Sequence, residues 1–249
     1  MASNKKLHVI GSANNDIVNH SVVSREQWLD ARRALLAKEK EFTRLREQLS
    51  QERRALPWVK VDKPYTFGTP GGSQTLLELF DGRSQLVVYH FMFAPEWEHG
   101  CSHCSFWADH FDGMGVHLNH RDVSFVAISR APLAKIDEFK KRMGWKFKWV
   151  SSLGNDFNFD FNVSFTPDQL KNGAAFYNYA TGQNDHTDRE GASVFYTDAA
   201  KTIFHTYSTF ARGIDILNGT YNYLDLVPKG RDEGDNPQSW VRYHDCYED

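Results

Sequence analysis

Cysteine is scarce in this chain, with three in 249 residues. Three cysteines cannot form a disulfide framework, and a close pair without an export signal reads as catalytic or metal-binding. Long apolar runs are also missing. None approaches the ~20 residues that a membrane span needs, and Met1 to Gly11 holds no sustained apolar stretch of the secretory kind. The expectation is a cytoplasmic protein with no membrane partner. Neither sign of charge dominates: 29 Lys and Arg stand against 32 Asp and Glu, a net charge of −3. That removes the basic footprint of a nucleic-acid-binding protein. The stretch Gly68-Thr-Pro-Gly-Gly-Ser73 lacks the Gly-Lys-Ser/Thr ending of a phosphate loop and reads as a turn. There is no second C-x-x-C and no histidine pair at zinc-finger spacing.

Aromatic residues, by contrast, are plentiful at 14%, and they fall mainly after residue 85. There an apolar run, Gln85 to Phe93, reads as a buried strand. A short loop with Pro95 and Gly100 follows. Cys101-Ser-His-Cys104 then opens a segment whose Phe106, Trp107, His110 and Phe111 recur at helical spacing. Strand, loop, C-x-x-C and helix make a dithiol redox site: the N–H groups and dipole of the helix N-terminus favour the thiolate of the first cysteine.

Residues 1–23 read as a flexible lead-in. Ser24-Arg-Glu-Gln27 is a capping box, and Trp28, Leu35, Phe42 and Leu49 recur every seven residues behind it. This predicts a long amphipathic helix over 24–54, stopped before Pro57. It serves either as an arm for a homodimer or as a helix lying on its own domain. Lys38 and Glu52 at seam positions weaken a long coiled coil. Residues 57–75 read as a linker with strand potential, and Thr75–Phe80 as a short helix or strand. Val123–Ile128 predicts a buried strand and Leu133–Met143 a helix ended by Gly144. Lys146–Ser151 alternates as a strand does, and 155–163 holds a helical turn. Residues 164–190 read as an irregular surface insertion. Ala192–Asp198 and Thr202–Tyr207 form an antiparallel hairpin, 212–226 a helix, and 229–249 a polar tail.

From residue 85 the order is β-α-β-α-β-insertion-β-β-α. This is the thioredoxin plan, an α/β fold with a central mixed sheet flanked by helices; the strand near 146–151 marks its peroxiredoxin-like variant. The domain spans 57–228, preceded by the helical arm of 24–56. The blocks Tyr89-His-Phe-Met-Phe, Gly100 to Asp109, Met143-Gly-Trp, Trp149-Val-Ser-Ser152, Asp156-Phe-Asn, His205-Thr-Tyr-Ser208, Arg212-Gly, Leu224-Asp-Leu and Gly230-Arg-Asp-Glu233 carry a further resemblance. They resemble a bacterial thioredoxin-like family long regarded as a domain of unknown function. From about residue 24 to the C-terminus, the resemblance implies this fold and a dithiol–disulfide oxidoreductase class. Members often carry Pro-Ser between the cysteines, where this chain has Ser102-His103.

In the first reading Cys101 is the attacking thiolate and Cys104 the resolving thiol, acting on a thiol or disulfide substrate without a cofactor. His103 stands where a histidine stabilises the thiolate in strongly oxidising DsbA-type sites, so the expected potential lies above that of thioredoxin. Glu98 is a candidate proton acceptor for Cys104, and Trp97 and Trp107 are candidate walls. The place of the thioredoxin cis-proline is Gly191-Ala-Ser193, which puts Ser193 against the site. Arg212, Tyr207 and His205 approach it from that side, and no carboxylate in Leu86–Phe93 supplies a buried base. A second reading, peroxide reduction, needs Thr or Ser three residues before the reactive cysteine, where Glu98 stands. A third is copper or zinc binding by the two thiols with a distant histidine such as His186 or His205, without turnover. The site predicts no resident metal. Cys246 reads as incidental.

Overall fold

The N-terminal helix begins at its capping signal. In the computed structural model, which describes residues 20–248, Ser24 Oγ accepts from the Gln27 N–H at 3.2 Å and Gln27 Oε1 accepts from the Ser24 N–H at 3.1 Å. Helix α1 then runs Arg25–Arg54 and buries none of its residues. Trp28, Leu35, Phe42 and Leu49 stand exposed along it. The expected lead-in lies, up to residue 19, outside the described residues.

The chain separates into two compact units, Met1–Arg53 with Thr220–Trp240, and Arg54–Gly219 with Val241–Asp249. In the first, Glu233 gathers its own segment: Oε1 accepts from Tyr221 Oη at 2.7 Å and from Trp240 Nε1 at 3.0 Å. The second unit carries the sheet and the dithiol.

Among the described residues ten strands occur in the second unit: β1 (Val59–Lys60), β2 (Thr66–Thr69), β3 (Gly72–Thr75), β4 (Gln85–His90), β5 (Val123–Ser129), β6 (Trp149–Ser151), β7 (Ala175–Tyr177), β8 (Ala180–Gly182), β9 (Gly191–Thr197) and β10 (Ile203–Phe210). Eight join one sheet in the order β1-β10-β9-β4-β5-β6-β2-β3. The middle five decide the fold. β4 pairs parallel with β5 and β5 with β6, while β4 pairs antiparallel with β9 and β9 with β10. Two parallel crossovers followed by a hairpin on the other side of the first core strand is the thioredoxin-like topology, as expected. The crossovers are helices α2 (Ser102–Ala108), α3 (Gly115–Asn119) and α4 (Leu133–Arg142).

Successive residues of β4 face opposite sides, and each side has its own core. Leu86, Val88 and Phe195 join Phe67, Leu79, Phe80, Val126, Ile128 and Phe157 on one. On the other, Tyr89 meets Phe111, and Phe91 meets Phe139 and Trp149. The dithiol helix covers this second face.

Several elements differ from their sequence reading. Residues 57–75 are more than a linker, because β1 extends one sheet edge and the β2–β3 hairpin the other; within the Gly-rich stretch only Pro70 and Gly71 form the turn, and its flanking residues pair as strands. Helix α2 stops at Ala108, short of His110 and Phe111, whose N–H groups bond back three residues to Trp107 and Ala108. Residues 164–190 are not irregular throughout. They hold helix α6 (Pro167–Lys171), with a capping box from Thr166 and Gln169, and the β7–β8 hairpin. The helix expected over 212–226 is broken: a 3-10 stretch, Ala211–Leu217, ends at extended Asn218 before helix α7 (Gly219–Leu224). The turn in 155–163 is α5 (Phe157–Asp160).

Candidate active site at the dithiol helix

The loop after β4 brings Cys101 back to the strand it left, its N–H donating to Met92 O at 3.0 Å. Gly100 makes this return fit, since a Cβ there would sit 2.7 Å from Phe91 Cε1 and 2.8 Å from Phe139 Cε1. Cys101 is then the N-cap of α2, in a non-helical conformation, and its carbonyl accepts from Ser105 N at 3.0 Å and Ser105 Oγ at 2.9 Å. Cys104 lies one turn on, buried, with the Met92 N–H directed at its sulfur at 3.4 Å.

The two thiols sit in opposed environments. Cys101 is partly exposed and falls well below the usual thiol range, first because the Cys104 thiol donates to its sulfur, and then because His103 does so and adds its charge. Cys104 is pushed well above that range, first by burial, next by its hydrogen bond to Cys101 and then by the negative charge of that sulfur. Both thiols are free. His103 is exposed at the helix start, where its imidazole reaches Cys101 but stays open to solvent.

Two groups near the pair are not evident from the local sequence. Glu190 directly precedes β9. Because Gly191 pairs with His90, the antiparallel register places Glu190 opposite Phe91, one residue before the Met92 amide that holds Cys104. Its charge acts on both Cys104 and Tyr89, and Tyr177 Oη donates to its Oε1 at 3.1 Å. Tyr89 is fully buried, and its pKa rises first through burial and then through the charge of Cys104 and a hydrogen bond to it. Only the strand register reveals Glu190, which lies far along the chain from the dithiol.

Other expected site residues lie elsewhere. Glu98 is exposed in the loop, while a second carboxylate, Glu190, has its charge felt at Cys104. Trp97 is half-buried on the same loop, where Lys135 Nζ donates to its carbonyl at 2.8 Å. Trp107 is buried, and its Nε1 donates to Ile214 O at 2.9 Å, an anchor for the 3-10 stretch. Ser193 is on the opposite face of the sheet from the dithiol, bonded to His90 Nε2 at 2.7 Å, because it shares the pleat of Val88 and His90. His205 belongs to that face as well, against Phe161. Arg212 points into solvent and pairs with Asp215 at 2.7 Å, so it does not reach the thiols. All peptide bonds of the described residues are trans. Among those residues no three His, Cys, Asp or Glu side chains gather as metal ligands.

The C-terminal segment packs beside the dithiol loop. Tyr243 Oη donates to Gly100 O at 2.7 Å, His244 Nδ1 meets Asp109 Oδ1 at 2.6 Å, and Arg142 clasps Asp245 at 2.8 and 2.9 Å. Cys246 is exposed there, and its thiol is raised, chiefly by its bond to Asp245.

The fold has counterparts of low identity among solved structures. Peroxidoxin BcpB from Mycobacterium tuberculosis is 15% identical, with a TM-score of 0.43 over 66% of this chain and 95% of that one. Peroxiredoxin Q from Xanthomonas campestris is 14% identical, with a TM-score of 0.42 over 71% and 99%. A yeast mitochondrial 1-Cys peroxiredoxin is 17% identical, with a TM-score of 0.37 over 66% and 74%. No curated protein sequence matches. One family model covers residues 17–247, and by that match the chain belongs to the family described as bacterial protein of unknown function, DUF899.

Proposed function

We propose that this protein is a thiol–disulfide oxidoreductase with Cys101 as nucleophile and Cys104 as resolving thiol. The observation that supports it best is the opposed setting of the pair: one thiol half-exposed and favoured as thiolate, the other buried and held protonated. Cys101 S⁻ attacks a substrate disulfide, forming a mixed disulfide and releasing the first substrate thiolate. Once its sulfur is bonded, Cys101 no longer carries the charge that raises Cys104. Cys104 then loses its proton, with Glu190 as the acceptor at hand. It attacks Cys101 Sγ and releases the second substrate thiolate. The substrate gains two electrons and the protein gains a Cys101–Cys104 disulfide. The reverse sequence oxidises a substrate dithiol. The stabilised Cys101 thiolate favours the reduced protein and so makes the disulfide a strong oxidant.

Gly191-Ala-Ser193, all joined by trans peptide bonds, stands where thioredoxin has its cis-proline, so protein substrates would dock differently from those of thioredoxin. The exposed apolar stripe of α1 is the proposed surface for a homodimer, and sedimentation equilibrium tests it: a monomer at all concentrations would remove this reading. The protein acts in the cytoplasm, where a dithiol of this kind cycles rather than staying oxidised. The chemistry is tested with Cys104→Ser and glutathione disulfide. The expected product is a lasting mixed disulfide on Cys101, where the wild-type protein proceeds to its internal disulfide. Labelling at Cys246 in preference to Cys101 refutes the assignment.

A further inference from the structure

A cleft of about 310 Å³ opens on the sheet face opposite the dithiol. Phe161, Tyr179, Phe210, His205 and Ser208 are among its walls, with Lys63 and Asp160 at its edge. It is in the size range of small-molecule sites.

Its charges are already matched. Lys63 bonds Asp160 at 2.6 Å and Asp156 at 2.8 Å, Lys60 bonds Asp62 at 2.6 Å, and Tyr65 Oη donates to Asp160 at 2.7 Å. A charged ligand would meet no unpaired opposite charge.

Its polar wall, however, has a direction. Four side chains form one chain of bonds into the core: His205 Nε2 to Ser208 Oγ at 2.7 Å, Ser208 Oγ to Ser193 Oγ at 2.8 Å, and Ser193 Oγ to His90 Nε2 at 2.7 Å. His205 Nε2 also lies 3.1 Å from Tyr207 O, a pure acceptor. Nε2 therefore carries the proton, and the two serine hydroxyls link it to His90 Nε2. His205 is left with Nδ1 as a bare acceptor, and the cleft wall wants a hydrogen-bond donor.

Tyr179 adds an independent sign. It and Asn178 form the β7–β8 turn at φ +63° and +49°, where glycine is the usual choice and a bulky side chain is strained. The ring is nonetheless placed at the cleft, its hydroxyl donating to Ser208 O at 2.8 Å and its face against Phe210 at 5.7 Å. Strain kept at a cleft wall is a mark of a functional position.

We propose that this cleft binds an uncharged, planar aromatic molecule bearing a hydroxyl, its ring among Phe161, Tyr179 and Phe210 and its hydroxyl donating to His205 Nδ1.

The probe is 2-naphthol, titrated into the full-length protein by calorimetry beside its methyl ether, which lacks the donor, and 2-naphthoate, which is charged. We expect 1:1 binding of 2-naphthol, with both counterparts weaker by about tenfold or more, the loss of one buried hydrogen bond. His205→Phe is expected to weaken 2-naphthol to a similar degree. Tyr179→Gly relieves the strained turn, keeps the fold, and is expected to weaken binding too. In the wild-type protein, 2-naphthol should shift the ¹⁵N resonance of His205 Nδ1, a readout that needs no variant. The proposal is overturned by absence of saturable binding, by naphthoate or the ether binding as tightly, or by unchanged affinity in Tyr179→Gly with an unmoved His205 signal.

Discussion

Gly100→Ala places one methyl group at the root of the dithiol loop, and its cost can be worked out. The new Cβ would stand 2.7 Å from Phe91 and 2.8 Å from Phe139. Neither ring is a free end. Phe91 lies 4.4 Å from Trp149 between centroids, and Phe139 lies 5.7 Å from Trp145 and 5.6 Å from Tyr243. Overpacking a core of this kind costs about 1–3 kcal/mol. At about 2–4 °C per kcal/mol for a domain of this size, the melting temperature should fall by roughly 2–12 °C. The same shift pulls on Cys101, whose N–H bonds Met92 O, and on the Gly100 carbonyl held by Tyr243. The rate of Cys101 alkylation by iodoacetamide at pH 7 should therefore change along with the melt. Gly113→Ala is the control: nothing lies within 4 Å of its Cβ, and its effect should stay within about 0.5 kcal/mol. A Gly100→Ala protein that melts and reacts like the wild type would refute the packing described for the loop.

Three further outcomes follow from buried groups. His90 is held neutral, its pKa pushed down to about 3 by burial and then by His205. Between about pH 6.5 and 3 the unfolded chain holds a proton that the folded chain lacks, so stability should fall as pH drops through that window, by up to roughly 5 kcal/mol; urea melts should show a flatter profile in His90→Gln. Arg130 holds Asp188, whose side chain is buried, at 2.7 Å, and Arg130→Ala should cost about 3–5 kcal/mol by leaving that carboxylate unpaired. Glu190→Gln should leave the first attack on a disulfide unchanged and slow the resolving step; stopped-flow with glutathione disulfide separates the two, and an unslowed second step removes Glu190 as the base.

The central strands were legible because their signals are local. Gln85–His90 and Val123–Ser129 are apolar runs long enough for buried parallel strands, and Ser24 with Gln27 carries a complete helix start. The dithiol was legible because spacing alone puts two sulfurs one helical turn apart. What surrounds it was not. Glu190 reaches the site through strand register, and Ser193 leaves it through the alternation of a strand whose phase shows only once paired. Glu98, adjacent in sequence, instead stands in solvent. The break at Asn218 was hidden for a related reason. Ile214, Leu217 and Tyr221 keep helical spacing, yet the backbone turns extended between them, and periodicity does not register one residue leaving the helix.

The redox poise of the dithiol decides whether Cys101 and Cys104 form a working pair. The protein is equilibrated in glutathione buffers of stepped ratio, alkylated, and read by mass. We expect an intramolecular Cys101–Cys104 disulfide that forms and reduces reversibly, with a midpoint above the roughly −270 mV of thioredoxin. A pair that stays reduced across the whole range, or a disulfide that forms only through Cys246, would contradict it.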